Sequence, residues 1–340
     1  MKKDDKKRAL FIGLPSFRQC SHCEGGEIMK NTRIMFFGTP EFAVRILETL
    51  IRDGYDVIAT VSQPDRPVGR KKIIQPTPVH ACSNEHGIPC LQPEKLSDIR
   101  EQIVSLSPDL FLTCAYGQFI PSSILSIPQK GCLNIHPSLL PKYRGGAPIQ
   151  HAVMNGDTET GVSLMEMIAK MDAGQVFACY HTHIGEDETF FQLNERLMDI
   201  SCQLVHEQLP LYLKGELKGT PQDEDQVVLG LNITKEEEKV SFAQEDIHRI
   251  YNHIRGLIEW PVAYGMLEGK RVKFCSVSKQ IKEIQDQPGT VLGFDQDSML
   301  VACTGGILHV HMIQMEGKKK MDARSFGNGY GHEVTGKVFE

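Results

Sequence analysis

No apolar run in the 340 residues approaches the ~18 that a membrane-spanning helix needs, so no such span is expected. The chain also lacks any excess of positive charge. Its 37 Lys and Arg against 43 Asp and Glu leave −6 at pH 7, so contact with nucleic acid has to come from local basic patches. A second closely spaced cysteine pair is missing too. Of ten cysteines only Cys20 and Cys23 have metal-ligand spacing, and one such pair alone is a weak zinc signal, so no metal is expected. Cys82, Cys90, Cys114, Cys132, Cys179, Cys202, Cys275 and Cys303 lie singly, mostly among apolar neighbours, as reduced thiols of a cytoplasmic protein do. Finally, the turn Phe36-Phe37-Gly38-Thr39-Pro40 has one glycine where the dinucleotide fingerprint has three, and Pro40 removes a backbone donor. A dinucleotide cofactor is therefore not expected.

What is present is ordinary globular material, 41% hydrophobic and 24% charged, long enough for about two domains. Residues 1–28 carry Lys2, Lys3, Lys6, Lys7 and Arg8 before a short apolar run that Pro15 stops. That run is shorter than a secretory core of roughly 7–15 residues, so the segment is expected to be a disordered extension, dispensable for activity. From Arg33 onward, apolar strands alternate with amphipathic helices. Residues 34–37, 57–61, 109–113 and 131–135 read as strands, and 40–52 and 94–106 as helices. Continuous apolar strands separated by helices predict a Rossmann-like α/β domain with a mostly parallel sheet. Residues 160–168 and 176–183 add strands of mixed pattern, and 188–213 a long helix. This first domain is assigned to residues 29–213. Residues 214–240, with Gly215, Gly219, Pro221 and many charges, read as a linker. Residues 241–340 begin with one helix. About five short strands come after it, with a hairpin turn at Glu268-Gly269-Lys270, which predicts a small OB-like β-barrel.

The segment from Asn134 to Ile149 stands at the carboxyl end of an apolar strand, where open α/β sheets place ligand sites. Asn134 and His136 are two apart, so in extended chain an amide and an imidazole face the same side. Pro137, Pro141 and Pro148 stiffen the loop after the strand, and Gly145-Gly146 permits close approach of backbone. Taken alone, an Asn-x-His pair reads as a capped turn, and Met171-Asp172-Ala173-Gly174 as a plain turn. The loop Arg66-Pro67-Val68-Gly69-Arg70-Lys71-Lys72 has four cations and no anion, and by itself reads as solvated surface.

Together these segments carry a resemblance. Asn134-Ile135-His136-Pro137-Ser138-Leu139-Leu140-Pro141 followed by Tyr143-Arg144-Gly145 resembles the signature of the 10-formyltetrahydrofolate-dependent formyltransferases, and within them the methionyl-tRNA formyltransferases. Met171-Asp172-Ala173-Gly174, Ala115-Tyr116-Gly117 with Pro121, and Gln63-Pro64-Asp65-Arg66-Pro67 with Gly69-Arg70 match further motifs in the same order. The likeness runs from about residue 34 to residue 327, and the four ordered motifs are highly specific. Gly146, Gln118 and Lys71 depart from the usual pattern without touching Asn134, His136 or Asp172.

The resemblance implies formyl transfer from 10-formyltetrahydrofolate to the α-amino group of methionine on initiator tRNA, in the cytoplasm, by a monomer. It implies that Asp172 lies beside His136, that Asn134 and His136 stabilise the developing oxyanion, and that Asp172 accepts the amine proton. It places the folate against Ser138, Leu139, Leu140, Pro141, Tyr116 and Gly117, and the tRNA against Arg66, Arg70, Lys71 and Lys72. The rivals are a folate-dependent formyltransferase acting on a sugar-nucleotide or ribonucleotide amine, a folate hydrolase, and an RNA-binding protein with an inactive enzyme domain.

Overall fold

The computed structural model describes residues 31–68 and 72–340. The expectation for residues 1–28, the pair Cys20 and Cys23, and the positions Arg70 and Lys71 lie outside the described residues. The chain opens with β1 (Arg33–Gly38), α1 (Glu41–Arg52) and β2 (Asp56–Val61). A small hairpin follows, β3 (Arg66–Val68) and β4 (Ile73–Gln75), then α2 (Pro78–Glu85) and β5 (Cys90–Leu91). The expected helix over 94–106 is a 3₁₀ turn, Leu96–Ile99, running into α3 (Arg100–Leu106). Next come β6 (Leu110–Cys114), α4 (Ser122–Leu125), β7 (Cys132–His136), α5 (Pro148–Met154), β8 (Glu159–Glu166), β9 (Val176–His183) and α6 (Phe190–Leu213).

Seven of these strands form one sheet in the order β5-β2-β1-β6-β7-β8-β9. The pairs from β5 through β7 are parallel, and β8 and β9 close the edge antiparallel. The central strands are apolar throughout because both faces are covered. Ile34, Phe36, Leu112, Leu133 and Ile135 meet α1 and α6 on one face. Met35, Phe37, Phe111 and Cys132 meet Ile103 and Ile124 on the other. Each fully buried large side chain there contributes roughly 1.5–3 kcal/mol from removal of apolar surface from water. The parallel register also aligns the strand ends, with Gly38 opposite Cys114 and Thr113 opposite Asn134. That alignment brings three loops together at one rim of the sheet.

The segment read as a linker is not a free tether. Thr220 and Val176 exchange two backbone hydrogen bonds of 2.9 Å, and the Arg144 amide donates to the Val228 carbonyl at 3.0 Å. The Gly230 amide in turn donates to the Arg144 carbonyl, and the Ala147 amide to the Gly230 carbonyl, both at 2.8 Å. Residues 214–230 thus strap the rim loop from outside.

Beyond the strap, α7 (Ile247–Gly256) is capped by the Asp246 carboxylate, which accepts from the Arg249 amide. It packs on α5 of the first domain, where Gly256 lets the two helices approach so closely that a Cβ would come within 2.6 Å of Met154. Then follow β10 (Tyr264–Leu267), β11 (Lys270–Ile281), β12 (Val291–Phe294), β13 (Met299–Cys303) and β14 (Gly306–Met315). They make a curled antiparallel sheet in the order β10-β11-β14-β13-β12, a half-barrel around Phe274, Val301, Leu308 and Ile313. The short β15 (Met321–Asp322) pairs with β14, and α8 (Ala323–Val334) closes the domain, burying Phe326. No element was expected over α8.

Candidate active site

Asn134 and His136 sit on β7, on the same side of the strand as predicted, and both line a cavity of about 550 Å³ at the sheet rim. That size suits a small organic ligand. The Asn134 carbonyl oxygen accepts the Thr113 hydroxyl at 2.8 Å, which leaves the amide NH₂ for the cavity. His136 is buried, 4% exposed. Its Nε2 lies 3.0 Å from the Tyr143 carbonyl. A carbonyl only accepts, so Nε2 carries a proton and Nδ1 is the nitrogen left for chemistry. Asp172 Oδ2 lies 3.9 Å from that Nδ1. This is an ion-pair distance and too long for a direct hydrogen bond.

Asp172 reaches this position through an unusual backbone. Its φ is 47°, in the left-handed region that asparagine and aspartate tolerate better than most residues. Its Oδ2 accepts from the Gly145 amide at 2.9 Å, and its own carbonyl accepts from Gln222 of the strap at 2.8 Å. The same Gln222 amide holds the Gly174 carbonyl at 2.7 Å. Gly145 is required where it stands: φ is 133°, and a Cβ would lie 2.5 Å from the Gly230 carbonyl oxygen.

The loop between β7 and α5 is tied at nearly every residue. Tyr143 adopts φ 60°, gives its carbonyl to His136, and donates its hydroxyl to Asp157 at 2.8 Å while accepting from Asn155 at 3.1 Å. Burial pushes that hydroxyl up to about 12. Arg144 is buried beside Gln222 and pairs with Glu224 at 3.0 Å. The guanidinium's hydrogen bond, followed by that of Lys170, holds the Glu224 carboxyl below the usual range.

The residues expected to meet folate divide into two groups. Tyr116 and Gly117 line the cavity with Asn134, His136 and Asp172. Ser138 instead lies fully buried beneath the loop, donating to the Lys142 carbonyl at 2.6 Å while its own carbonyl accepts the Ser163 hydroxyl at 2.7 Å. Leu139 is held against Gly161 of β8, where a Cβ would come within 2.5 Å of it. Leu140 and Pro141 face a different groove, between β9 and the strap. Met167, Phe190, Asn194 and Trp260 line the cavity although no reading of the sequence selected them. Their only signal is three-dimensional, because they come from three separate places in the chain, Phe190 and Asn194 lying one turn apart at the start of α6.

Of the basic residues, Arg66 and Lys72 are described. Both are exposed at the base and turn of the β3–β4 hairpin, and Arg66 pairs with Glu94 at 2.9 Å. The loop read from sequence as solvated surface includes an ordered ladder with Arg66 opposite Gln75 and Val68 opposite Ile73. Asp65 clamps its root, accepting from the Thr77 amide at 3.0 Å, Gln92 at 2.7 Å and His80 Nδ1 at 3.0 Å. Among the described residues no group of three or more His, Cys, Asp and Glu could hold a metal ion, and no helix is long and apolar enough to cross a membrane.

Comparison with known proteins agrees with this architecture. The formyl transferase family profile matches residues 32–209, and that of the formyl transferase C-terminal domain matches residues 232–331. A methionyl-tRNA formyltransferase of Halalkalibacterium halodurans is 43% identical over 307 residues, covering 89% of this chain and 96% of that protein. One from Bacillus cytotoxicus is 42% identical over 312 residues, 91% of this chain and 99% of that one. The fold recurs in an N-formyltransferase from Helicobacter canadensis solved with folinic acid and dTDP-3-aminofucose, with a TM-score of 0.63 at 15% identity over 82% of this chain and 99% of that one. It recurs again in HypX from Aquifex aeolicus solved with tetrahydrofolic acid, with a TM-score of 0.63 at 18% identity, covering 89% of this chain and 48% of that one. With both family segments in order and relatives above 40% identity along nearly their whole length, the chain belongs to the formyl transferase family, among the methionyl-tRNA formyltransferases.

Proposed function

We propose that the chain transfers the formyl group of 10-formyltetrahydrofolate to the α-amino group of methionine on initiator tRNA, with Asn134, His136 and Asp172 as its catalytic groups. One observation carries this reading. An amide NH₂, an imidazole Nδ1 and a carboxylate converge on a single cavity, with the last two 3.9 Å apart. No nucleophilic side chain is needed, because the substrate amine is itself the nucleophile. A free α-amino group titrates at roughly 8, so neutral amine is available near neutrality.

The nitrogen lone pair forms the new bond to the formyl carbon, and the carbonyl π electrons move to its oxygen. Asn134 Nδ2 and protonated His136 Nδ1 donate to that oxyanion, and a preorganised donor of this kind contributes about 3–4 kcal/mol. Asp172 receives the proton that the attacking nitrogen must lose, directly or through one water. Collapse of the intermediate re-forms C=O and breaks the bond to folate N10, which leaves with a proton returned from the same pair. Tyr116, Gly117, Ile120 and Met167 offer a mostly apolar wall for the pteridine. Ser138 and Leu139 brace the loop from beneath, while Leu140 and Pro141 line the groove on its other side.

The tRNA reading draws on the curated relatives, on the basic hairpin with Arg66, Arg70, Lys71 and Lys72, and on the cations of the half-barrel, among them Arg271, Lys273 and Lys318 to Lys320. Lys and Arg there would contact phosphates. A monomer acting in the cytoplasm belongs to the same proposal. The test is incubation with 10-formyltetrahydrofolate and either charged initiator tRNA or amino-sugar nucleotides, followed by product mass. Formyl-methionyl-tRNA is the expected product; formylated sugar alone would replace this reading with its rival.

A further inference from the structure

The sole tryptophan of the chain is 69% exposed, an unusual state for the largest apolar side chain, and it lines the cavity that holds Asn134, His136 and Asp172. It comes from the C-terminal half, in the turn after α7, so both halves of the chain build this one mouth. The turn is held under strain. Glu259 and Val262 both adopt φ 76°, in the left-handed region, where a β-branched residue is a genuine outlier. The Val262 amide closes the turn on the Leu257 carbonyl at 3.0 Å, and Lys273 Nζ donates to the Pro261 carbonyl at 3.2 Å. Strained backbone that keeps an indole in water points to something that covers it.

We infer that Trp260 is the stacking platform for the terminal nucleobase of the amine-bearing RNA. The inference rests on the tRNA reading of this same cavity. In such a substrate the methionyl ester and the terminal base hang from one ribose, so an amine delivered to Asp172 brings a flat aromatic base to the cavity mouth. Among the other aromatic linings, Tyr116 and Phe42 are buried and Phe190 is only part exposed. Trp260 therefore presents the large open π-face. Charge supports the same direction of approach. Lys273 lies under this turn, and the Arg271 guanidinium, 4.3 Å over the Tyr264 ring, stands on the same strand, a cationic track for a phosphate backbone leading to the indole. Stacking of one base on an aromatic side chain is worth about 10- to 100-fold in affinity.

Because the chain has one tryptophan, its emission reports this residue directly. Titration of the full chain with uncharged initiator tRNA should quench that emission, and the same tRNA trimmed of its terminal adenosine should not. Equal quenching by both overturns the inference. In steady-state kinetics Trp260→Leu should raise KM for charged tRNA about 10- to 100-fold, whereas Trp260→Phe recovers most of the loss and KM for 10-formyltetrahydrofolate moves less than about twofold. An unchanged tRNA KM in the Leu variant, or an equal loss in both variants, also overturns it. If the unaltered chain fails to formylate charged tRNA at all, the functional reading has failed, and that outcome is distinct from failure of the platform.

Discussion

Two loops of the first domain, those that the proposed function assigns to the substrates, are built in opposite ways. The loop from His136 to Ala147 is fixed by the Tyr143 carbonyl beneath His136, by Gly145 on Asp172, by Ser138 on Lys142, and by the strap at Val228 and Gly230. The hairpin that starts at Arg66 is clamped at its root by Asp65, while Ile73 and Ile74 stand 56% and 67% exposed beyond it. The contrast reflects the physics of each task. An oxyanion donor misplaced by about 1 Å loses much of its effect, so its support is rigid. Phosphate contacts are long-ranged and tolerant, so a cationic hairpin needs only a firm base.

The comparison is broken most severely at the rigid loop. His136→Ala, or Asp172→Asn, should lower kcat about 10³-fold in a protein that still unfolds cooperatively, read by single-turnover formylation and thermal unfolding. Near-normal turnover of the folded variant would remove the residue from the mechanism. Gly145→Ala places a Cβ 2.5 Å from the Gly230 carbonyl at φ 133° and should cost roughly 3 kcal/mol of stability together with a kcat loss, measured by urea unfolding and by assay. A silent substitution would mean that strap and loop are not in contact in solution. Tyr143→Phe deletes the hydrogen bonds to Asp157 and Asn155 and should lower stability by about 1–2 kcal/mol, visible in thermal unfolding. Arg66→Ala, in the tolerant hairpin, should leave folding unchanged and raise KM for tRNA only a few-fold. It should also flatten the slope of log affinity against log salt by about 0.7–0.9, and a tRNA KM independent of salt in both proteins would take the hairpin out of RNA binding.

How much of this was legible in the sequence depended on how local each signal is. β1, β2, β6 and β7 show as continuous apolar runs because both faces of the sheet are covered. Asn134 and His136 share a strand, so spacing alone puts them on one face. Asp172 lies 36 positions beyond His136, and only family likeness tied it to the imidazole. The strap looked like a tether because its attachments are backbone hydrogen bonds and scattered polar contacts of Gln222 and Glu224, which leave no apolar periodicity. The helix α8 was concealed by Gly327, Gly329 and Gly331, poor helix formers whose cost is offset by the Asp322 cap and the burial of Phe326. Trp260 reaches the cavity from the C-terminal half through the close packing of α5 on α7, which no window of sequence contains.

The strap has one more consequence, for how this protein can be divided. A cut at residue 213, where the long helix α6 ends, looks like a clean way to free the catalytic half. Such a fragment would lose Gln222 from the backbone of Asp172 and Val228 and Gly230 from the edge of the histidine loop. A severed front half would keep its sheet and lose the alignment of its reactive groups. The smallest autonomous catalyst therefore extends at least through residue 230, and the boundary of the chemistry lies well beyond the last helix of the α/β layer.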